Sequence, residues 1–402
     1  MKICGIIAEY NPFHNGHLYQ IEETRRMLGP DTAVVCCMSG DFVQRGEAAV
    51  MDKTRRAKAA VMSGADLVLS LPLRWSLSSA QGFADGAIHI LGMAGAEHIS
   101  FGAEDDDVEA LSEIAGLIAE KSVIDGTLAT MMGSGVSYAR ARERELYKRI
   151  KDRASLISTP NNILAVEYLR AVRQQGLDIS PVAVKRTGAA HDGDTPDGAI
   201  ASASYIRQLA RGGRLDEAAG FMPPQSLEQL RQAAHEGAAM LDLSRLDCAM
   251  TAVLKRCSIE QLSKLPDASE GLEHRLYDAI QAGVDLEDIC GGAKTKRYAY
   301  SRIRRMLYCA FLGIEKKPAG SLPGYTRVLA FNDRGRQVLS AVEQREDFVF
   351  ITKPAAAKRL PEEERAGFEL EAAASAAYDL ALPGYRDLPR GREWTCGPIY
   401  IR

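Results

Sequence analysis

Up to about residue 210 the chain alternates two hydrophobic periods, and this alternation restricts its fold more than any other feature. Short apolar runs of strand character occur at Ile3–Ala8, Ala33–Met38, Leu67–Leu71, His98–Phe101 and Val182–Lys185. Helix-period stretches separate them, at Leu18–Leu28, Thr54–Ser63, Ser79–Leu91 and Val108–Glu120. Strand–helix alternation of this kind builds βαβ units, so the expected class is α/β, with a parallel sheet covered by helices on both faces. Residues 125–176 carry no strand signal and read as helices inserted before the last strand. Pro160 favours a break there, with Asn161 or Asn162 opening the next helix.

Beyond about Leu215 the pattern changes. Ser226–Glu236, Leu246–Cys257, Ile259–Leu265, Glu270–Gln281 and Tyr300–Leu312 all place apolar residues at helical spacing. This predicts a first domain over residues 1–214 and a helical domain over 215–317. After Lys316-Lys317-Pro318, the runs Val328–Phe331, Arg334–Val342, Phe348–Ile351 and Glu362–Leu382 read as a small α/β C-terminal domain, residues 318–402. An apolar fraction of 46% and a charged fraction of 26% exclude a disordered or fibrous chain. The eight cysteines form no Cys-x-x-Cys and no zinc-ligand spacing. They read as reduced core thiols, which fits a cytoplasmic protein. With no run of 18 apolar residues, no membrane span is expected.

The first predicted strand runs directly into Glu9-Tyr10-Asn11-Pro12-Phe13-His14-Asn15-Gly16-His17, and a helix follows. At the carboxyl end of the first strand of an α/β sheet, a helix N-terminus offers free N–H groups to a phosphate. His14 and His17, three apart, add donors for the same anion, and can stabilise charge that develops during displacement at phosphorus. Gly16 between them allows close backbone approach. A metal site would require a third ligand, which the motif does not provide, so no protein metal site is expected. Near the fifth run, Ile200-Ala201-Ser202-Ala203-Ser204-Tyr205-Ile206-Arg207 reads as a helix start. Ser204 is the expected N-cap, and Arg207 lies one turn in, facing the same phosphates.

The His14–His17 segment resembles the His-x-Gly-His superfamily of nucleotidyltransferases and class I tRNA synthetases, and Ile200–Arg207 is similar to a second motif of small-molecule adenylyltransferases. Met38–Glu47, Ser100–Glu104, Pro160–Leu164, Gly271–Arg275 and Lys294–Tyr298 narrow the resemblance. Together, over roughly residues 2 to 310, they resemble the bacterial tRNA(Met) cytidine acetate ligase family. That resemblance implies a Rossmann-like nucleotidyltransferase domain. It also implies that acetate attacks ATP to give acetyl-adenylate and pyrophosphate. The acetyl group would then pass to N4 of the wobble cytidine of elongator tRNA(Met). It implies ATP contacts from Ile7, Ala8, Glu9, Tyr10, Asn11, Pro12, Phe13, His14, Asn15, Gly16, His17, Leu18, Tyr19 and Gln20, and from Gly102, Asn161, Asn162, Arg186 and Ser204. His14, His17 and Arg207 are the expected catalytic residues. Mg2+ is expected to accompany the nucleotide. Thr187–Ala190 lack the expected serines, so no role is assigned to them. The loop Ser39–Glu47 stays open between acetate binding, RNA contact and a solvated turn, with Asp41 a candidate partner for a phosphate-bound metal or a histidine.

Six of the twelve residues from Lys294 to Arg305 are basic and none is acidic, in a chain of net charge −3. With Tyr298 and Tyr300 interleaved, the segment suits RNA phosphates and unpaired bases. Lys294, Lys296, Arg297, Arg302 and Arg305 are its expected contacts. A second, more diluted basic stretch spans Arg140 to Lys151. No protein partner is implied. The competing reading is a small-metabolite adenylyltransferase, which would need neither the basic segment nor the helical domain. The remaining histidines, His89, His98, His191, His235 and His274, have no comparable setting and are expected to be structural or solvated.

Overall fold

The computed structural model of the chain describes residues 1–119, 147–186, 196, 198–342 and 347–402. Its strands are β1 (Ile3–Ala8), β2 (Ala33–Ser39), β3 (Phe42–Val43), β4 (Glu47–Ala48), β5 (Leu67–Leu71), β6 (His98–Ala103), β7 (Ser180–Lys185), β8 (Tyr325–Phe331), β9 (Val349–Ile351) and β10 (Ile399–Tyr400). Eight of them form one sheet in the order β10-β8-β5-β2-β1-β6-β7, with β9 also on β8, while β3 and β4 make a separate hairpin. The five strands expected from sequence are the parallel core, β5-β2-β1-β6-β7. All seven residues of β2 are buried, as an apolar strand covered on both faces must be.

Strand order reverses between β1 and β6: β2 lies on one side of β1 and β6 on the other. A crevice therefore opens at the carboxyl ends of these two strands. The helix after β1 covers Asn15–Leu28 and starts earlier than Leu18, because His14 is its N-cap. Helix Pro160–Gln174 begins with Pro160 in its first turn, where the missing N–H costs nothing. Asn161 and Asn162 are thus inside its first turn rather than ahead of it.

The last fifth of the chain departs from expectation. Residues 318–402 do not stand apart as a small unit: β8 pairs antiparallel with β5, and β10 extends the same sheet. The sheet is therefore mixed at this edge rather than parallel throughout. The five α-helices expected between residues 215 and 313 are present, with a further one at Leu286–Ala293 that was not expected from sequence, but their apolar cluster is shared. It joins Leu246 and Leu276 to Phe42 and Leu73 on one side and to Tyr378 and Leu382 on the other. No described helix is long and apolar enough to cross a membrane. All eight cysteines are free, with Cys4, Cys36 and Cys37 buried in the sheet.

Candidate active site

The two histidines build the N-terminus they were expected only to precede. His14 Nδ1 accepts from Gly16 N–H at 3.1 Å, and His17 Nδ1 accepts from His14 N–H at 3.2 Å. This is a reciprocal capping box, made by imidazoles instead of the usual serine and glutamate. Because both Nδ1 atoms accept, the geometry assigns the proton to Nε2 in each neutral ring. The rings stack with centroids 3.7 Å apart, and Phe13, fully buried, supports His17 from beneath. Gly16 also makes room for this arrangement: a Cβ there would come within 2.9 Å of the His14 ring.

His14 and His17 line a cavity of about 540 Å3 at the crevice between β1 and β6. Ile7, Ala8, Glu9, Tyr10, Asn11, Gln20, Gly102, Asn161, Arg186, Ser204 and Arg207 line it as well. Pro12, Phe13, Asn15, Gly16, Leu18, Tyr19 and Asn162 are not among the residues that line it. Asn15 donates to the carbonyls of Ala199 and Gly220 at 2.9 and 3.0 Å, tying the loop to the chain beyond β7. Asn162, almost fully buried, accepts from the backbone of Glu104 and Asp105 and shapes the turn after β6. Gln20 lines the cavity but spends its amide on Ser100.

Arginines supply the positive charge. Arg186 leaves the end of β7 and crosses Gly102, whose missing Cβ would stand 3.4 Å from the Arg186 side chain. Arg207 Nη1 donates to Asn11 O at 2.8 Å, and its Nη2 lies 3.4 Å from Glu47. Burial pushes both guanidinium groups below their ordinary pKa, with Glu104 acting against this at Arg186 and Glu47 at Arg207. A guanidinium keeps its proton nonetheless, so each is a desolvated cation that an anionic ligand would stabilise. At Glu104 burial also opposes charge, but hydrogen bonds from Asn161 and Thr159 more than offset it and hold the carboxyl below its usual range. Glu9 is the reverse case: burial pushes its carboxyl up, although Gln44 N–H donates to it at 2.9 Å.

Two expected roles change. Ser202, not Ser204, is the N-cap of helix Ala203–Arg211, accepting from Tyr205 N–H at 3.1 Å. Ser204 lies within the first turn and lines the cavity instead. Asp41 faces away from the cavity and is held well below the ordinary carboxylate range. Burial opposes its charge, but Arg392 at 2.9 Å and the Lys53 ammonium and backbone N–H overcome it. The Ser39–Glu47 loop carries the β3–β4 hairpin, which brings Gln44 and Arg45 to the cavity. Sequence reasoning missed the apolar wall of Phe83, Phe101, Leu164 and Tyr168. Asn161, Leu164 and Tyr168 sit at helical spacing on one face, a signal that was present in the sequence.

The basic segment divides by face. Lys294 and Lys296 are exposed. Arg302 and Arg305 turn inward: Arg302 bonds Asp267 O at 2.8 Å and Glu270 at 3.1 Å, and Arg305 pairs with Asp267 at 2.8 Å. Arg297 is half-buried, 3.8 Å from Glu270. Residues 187–195 and most of the Arg140–Lys151 stretch lie outside the described residues. Of the other histidines, His235 and His274 are exposed and His89 packs edge-on against Phe348, while His191 is not among the described residues.

The model of the HIGH Nucleotidyl Transferase family matches residues 1–390. A tRNA(Met) cytidine acetate ligase of Caldanaerobacter subterraneus is 36% identical, with 96% of each chain covered. The protein of that name from Acetivibrio thermocellus is also 36% identical, over 88% of each chain. Among solved structures, apo Thermotoga maritima TmcAL superposes with a TM-score of 0.94 at 29% identity, both chains being covered completely. The same protein bound with alpha-thio ATP gives 0.93. The conserved architecture and the His14–His17 crevice have one common explanation: the chain belongs to the tRNA(Met) cytidine acetate ligase family, within the HIGH nucleotidyl transferases.

Proposed function

We propose that this protein activates acetate with ATP and transfers the acetyl group to N4 of the wobble cytidine of elongator tRNA(Met). The carrying observation is the convergence of His14, His17, Arg186 and Arg207 on one cavity at the strand-order reversal. The two Nε2–H donors, the helix N-terminus and the two arginines hold the triphosphate. As acetate oxygen bonds to the α-phosphorus, the bond to pyrophosphate breaks, and these fixed donors stabilise the charge that moves onto the leaving group. Most of the rate enhancement comes from alignment and electrostatics, since no protein nucleophile is required. Phe83, Phe101, Leu164 and Tyr168 offer an apolar wall for the adenine ring, and Ser204 and Asn161 offer polar contacts nearby.

Among the described residues no three His, Cys, Asp or Glu side chains are grouped to hold a metal ion. A Mg2+ ion arriving with ATP would neutralise phosphate charge. In this reading residues 1–214 form acetyl-adenylate, and residues 215–317 present the tRNA through Lys294, Lys296 and Arg297. Arg302 and Arg305, paired with Glu270 and Asp267, stand beside these contacts. Incubation with ATP, labelled acetate and total tRNA tests the proposal: label should appear as N4-acetylcytidine in tRNA(Met), and its absence rules the reaction out.

A further inference from the structure

A second cavity, of about 520 Å3, lies beside the nucleotide crevice, and Ser204 and Arg207 line both. Arg207 is the partition between them: one of its nitrogens bonds Asn11 on the crevice side, and another faces Glu47, which lines only the second cavity. The floor is apolar, from Leu246, Met250 and Leu307. Tyr300 forms part of the wall and is 38% exposed, with the ammonium of Lys294 5.7 Å from its ring centre. The carboxylates of Glu47, Asp247 and Glu287 stand among the lining side chains. The volume falls within the ~300–1,000 Å3 usual for organic ligands, and is far more than acetate requires.

We infer that this cavity receives the acceptor base, an unpaired cytosine extruded from an RNA loop. The inference rests on the ligase reading and extends it. Exposed Lys294 and Lys296 meet the RNA backbone next to an aromatic ring on which a base can stack. A carboxylate accepts from the exocyclic amine of cytosine, whereas uracil presents a carbonyl oxygen at that position. Glu47, at the partition and paired with Arg304 at 2.9 Å, is the acceptor nearest in the fold to Arg207. From there the amine can meet the acetyl group without release of the intermediate. Its lone pair attacks the acyl carbon and a C–N bond forms. The C–O bond to the adenylate breaks, AMP leaves with that electron pair, and the amine gives up one proton to a carboxylate or water.

Two variants test this. Leu243 lines the cavity and is 42% exposed, so Leu243→Trp adds bulk there without displacing the core; Tyr300→Ala removes the stacking surface. Both should keep acetate-dependent ATP–pyrophosphate exchange within about 2-fold of wild type. Both should lose acetyl transfer to a tRNA(Met) transcript by about 10-fold or more, as expected when one stacked base loses its platform. Millimolar CMP should compete with the transcript in the wild-type protein, and Leu243→Trp should abolish that competition. Wild-type transfer by both variants overturns the assignment. So does a parallel loss of exchange and transfer, which would place these residues in the nucleotide site. If the wild-type protein itself shows no exchange, the ligase reading fails, and the cavity assignment with it.

Discussion

The nucleotide crevice and the charge cluster behind the β3–β4 hairpin are both rich in arginine and carboxylate, yet they are built on opposite rules. Behind the hairpin the charges other than Arg56 meet opposite ones. Lys53 lies 3.0 Å from Glu393 and 3.5 Å from Glu371, Arg327 pairs with Glu393, and Arg392 reaches Asp41 and Asp379. Arg56, wholly buried, donates to the carbonyls of Met51, Glu9, Ser39 and Gly40. In the crevice, Glu104 acts on the desolvated Arg186 and Glu47 and Glu9 on the desolvated Arg207, but burial outweighs them and both guanidinium groups are pulled below their ordinary pKa. Balanced buried charge holds a structure in one arrangement; positive charge left in excess waits for a ligand.

Mutations should therefore separate the two regions. The largest effect is expected at Asp41. Asp41→Asn leaves Arg392 and Lys53 partly uncompensated, and should cost about 3–5 kcal/mol in stability, the range for breaking a buried pair. Its depressed pKa gives the sign of the pH dependence. The stability it contributes is full above the usual carboxylate range and is lost as pH falls through its own folded-state pKa. Denaturant unfolding at neutral and acid pH checks this, and an Asn variant as stable as wild type would refute the buried-pair account.

Next comes His17→Ala, which should lower acetate-dependent ATP–pyrophosphate exchange by roughly 100-fold, the scale of losing one preorganised donor. Arg186→Ala should weaken ATP binding by about 1.5–3 kcal/mol, the range for hydrogen bonds to charged groups, with the ligand-free unfolding midpoint little changed. Titration calorimetry and an unfolding curve on that variant decide the matter. If the protein is destabilised while ATP affinity is preserved, Arg186 belongs with the balanced charges after all.

A smaller effect is expected from reversing Lys294 and Lys296 to Glu. The dependence of log tRNA affinity on log salt should flatten by about 1 per lost phosphate contact, while ATP affinity is unchanged. An unaltered salt slope would make the segment a solvated face. Smallest is a pH effect at Asp379, where burial pushes the carboxyl up to about 6 despite its contact with Arg392. Raised above its unfolded value, this group favours folding at low pH, and that advantage disappears as pH rises from about 4 to about 6. Asp379→Asn should remove this decline from the stability profile; an identical profile would contradict it.

The sequence made one of the two regions legible and hid the other. The crevice was readable because strand ends, a capping motif and a Ser-rich helix start are local signals, and the topology of a parallel sheet brings strand ends together without further information. The charge cluster was not, because its members are distant in sequence: Asp41 and Arg392 are 351 residues apart. The same reason explains β8. Tyr325–Phe331 is recognisable as a strand, but nothing in those seven residues names Leu67–Leu71 as its neighbour. Within the basic segment composition could not show the ion pairs of Arg302 and Arg305: helical spacing puts them on one face, but the acidic turn Asp267–Glu270 that receives them had to be located in space.

Residue 392 also sets a sequence of events. The hairpin that carries Gln44 and Arg45 to the crevice is braced from behind by Asp41, whose arginine partner is polymerised about 350 residues later. During synthesis the sheet core and its helix-capping histidines emerge first, while the brace is still missing. A nascent or prematurely terminated chain would present a recognisable nucleotide fold with an unsupported active-site wall. The wall is thus braced only once the chain has been made past residue 392, and a fragment that stops short of it lacks this support.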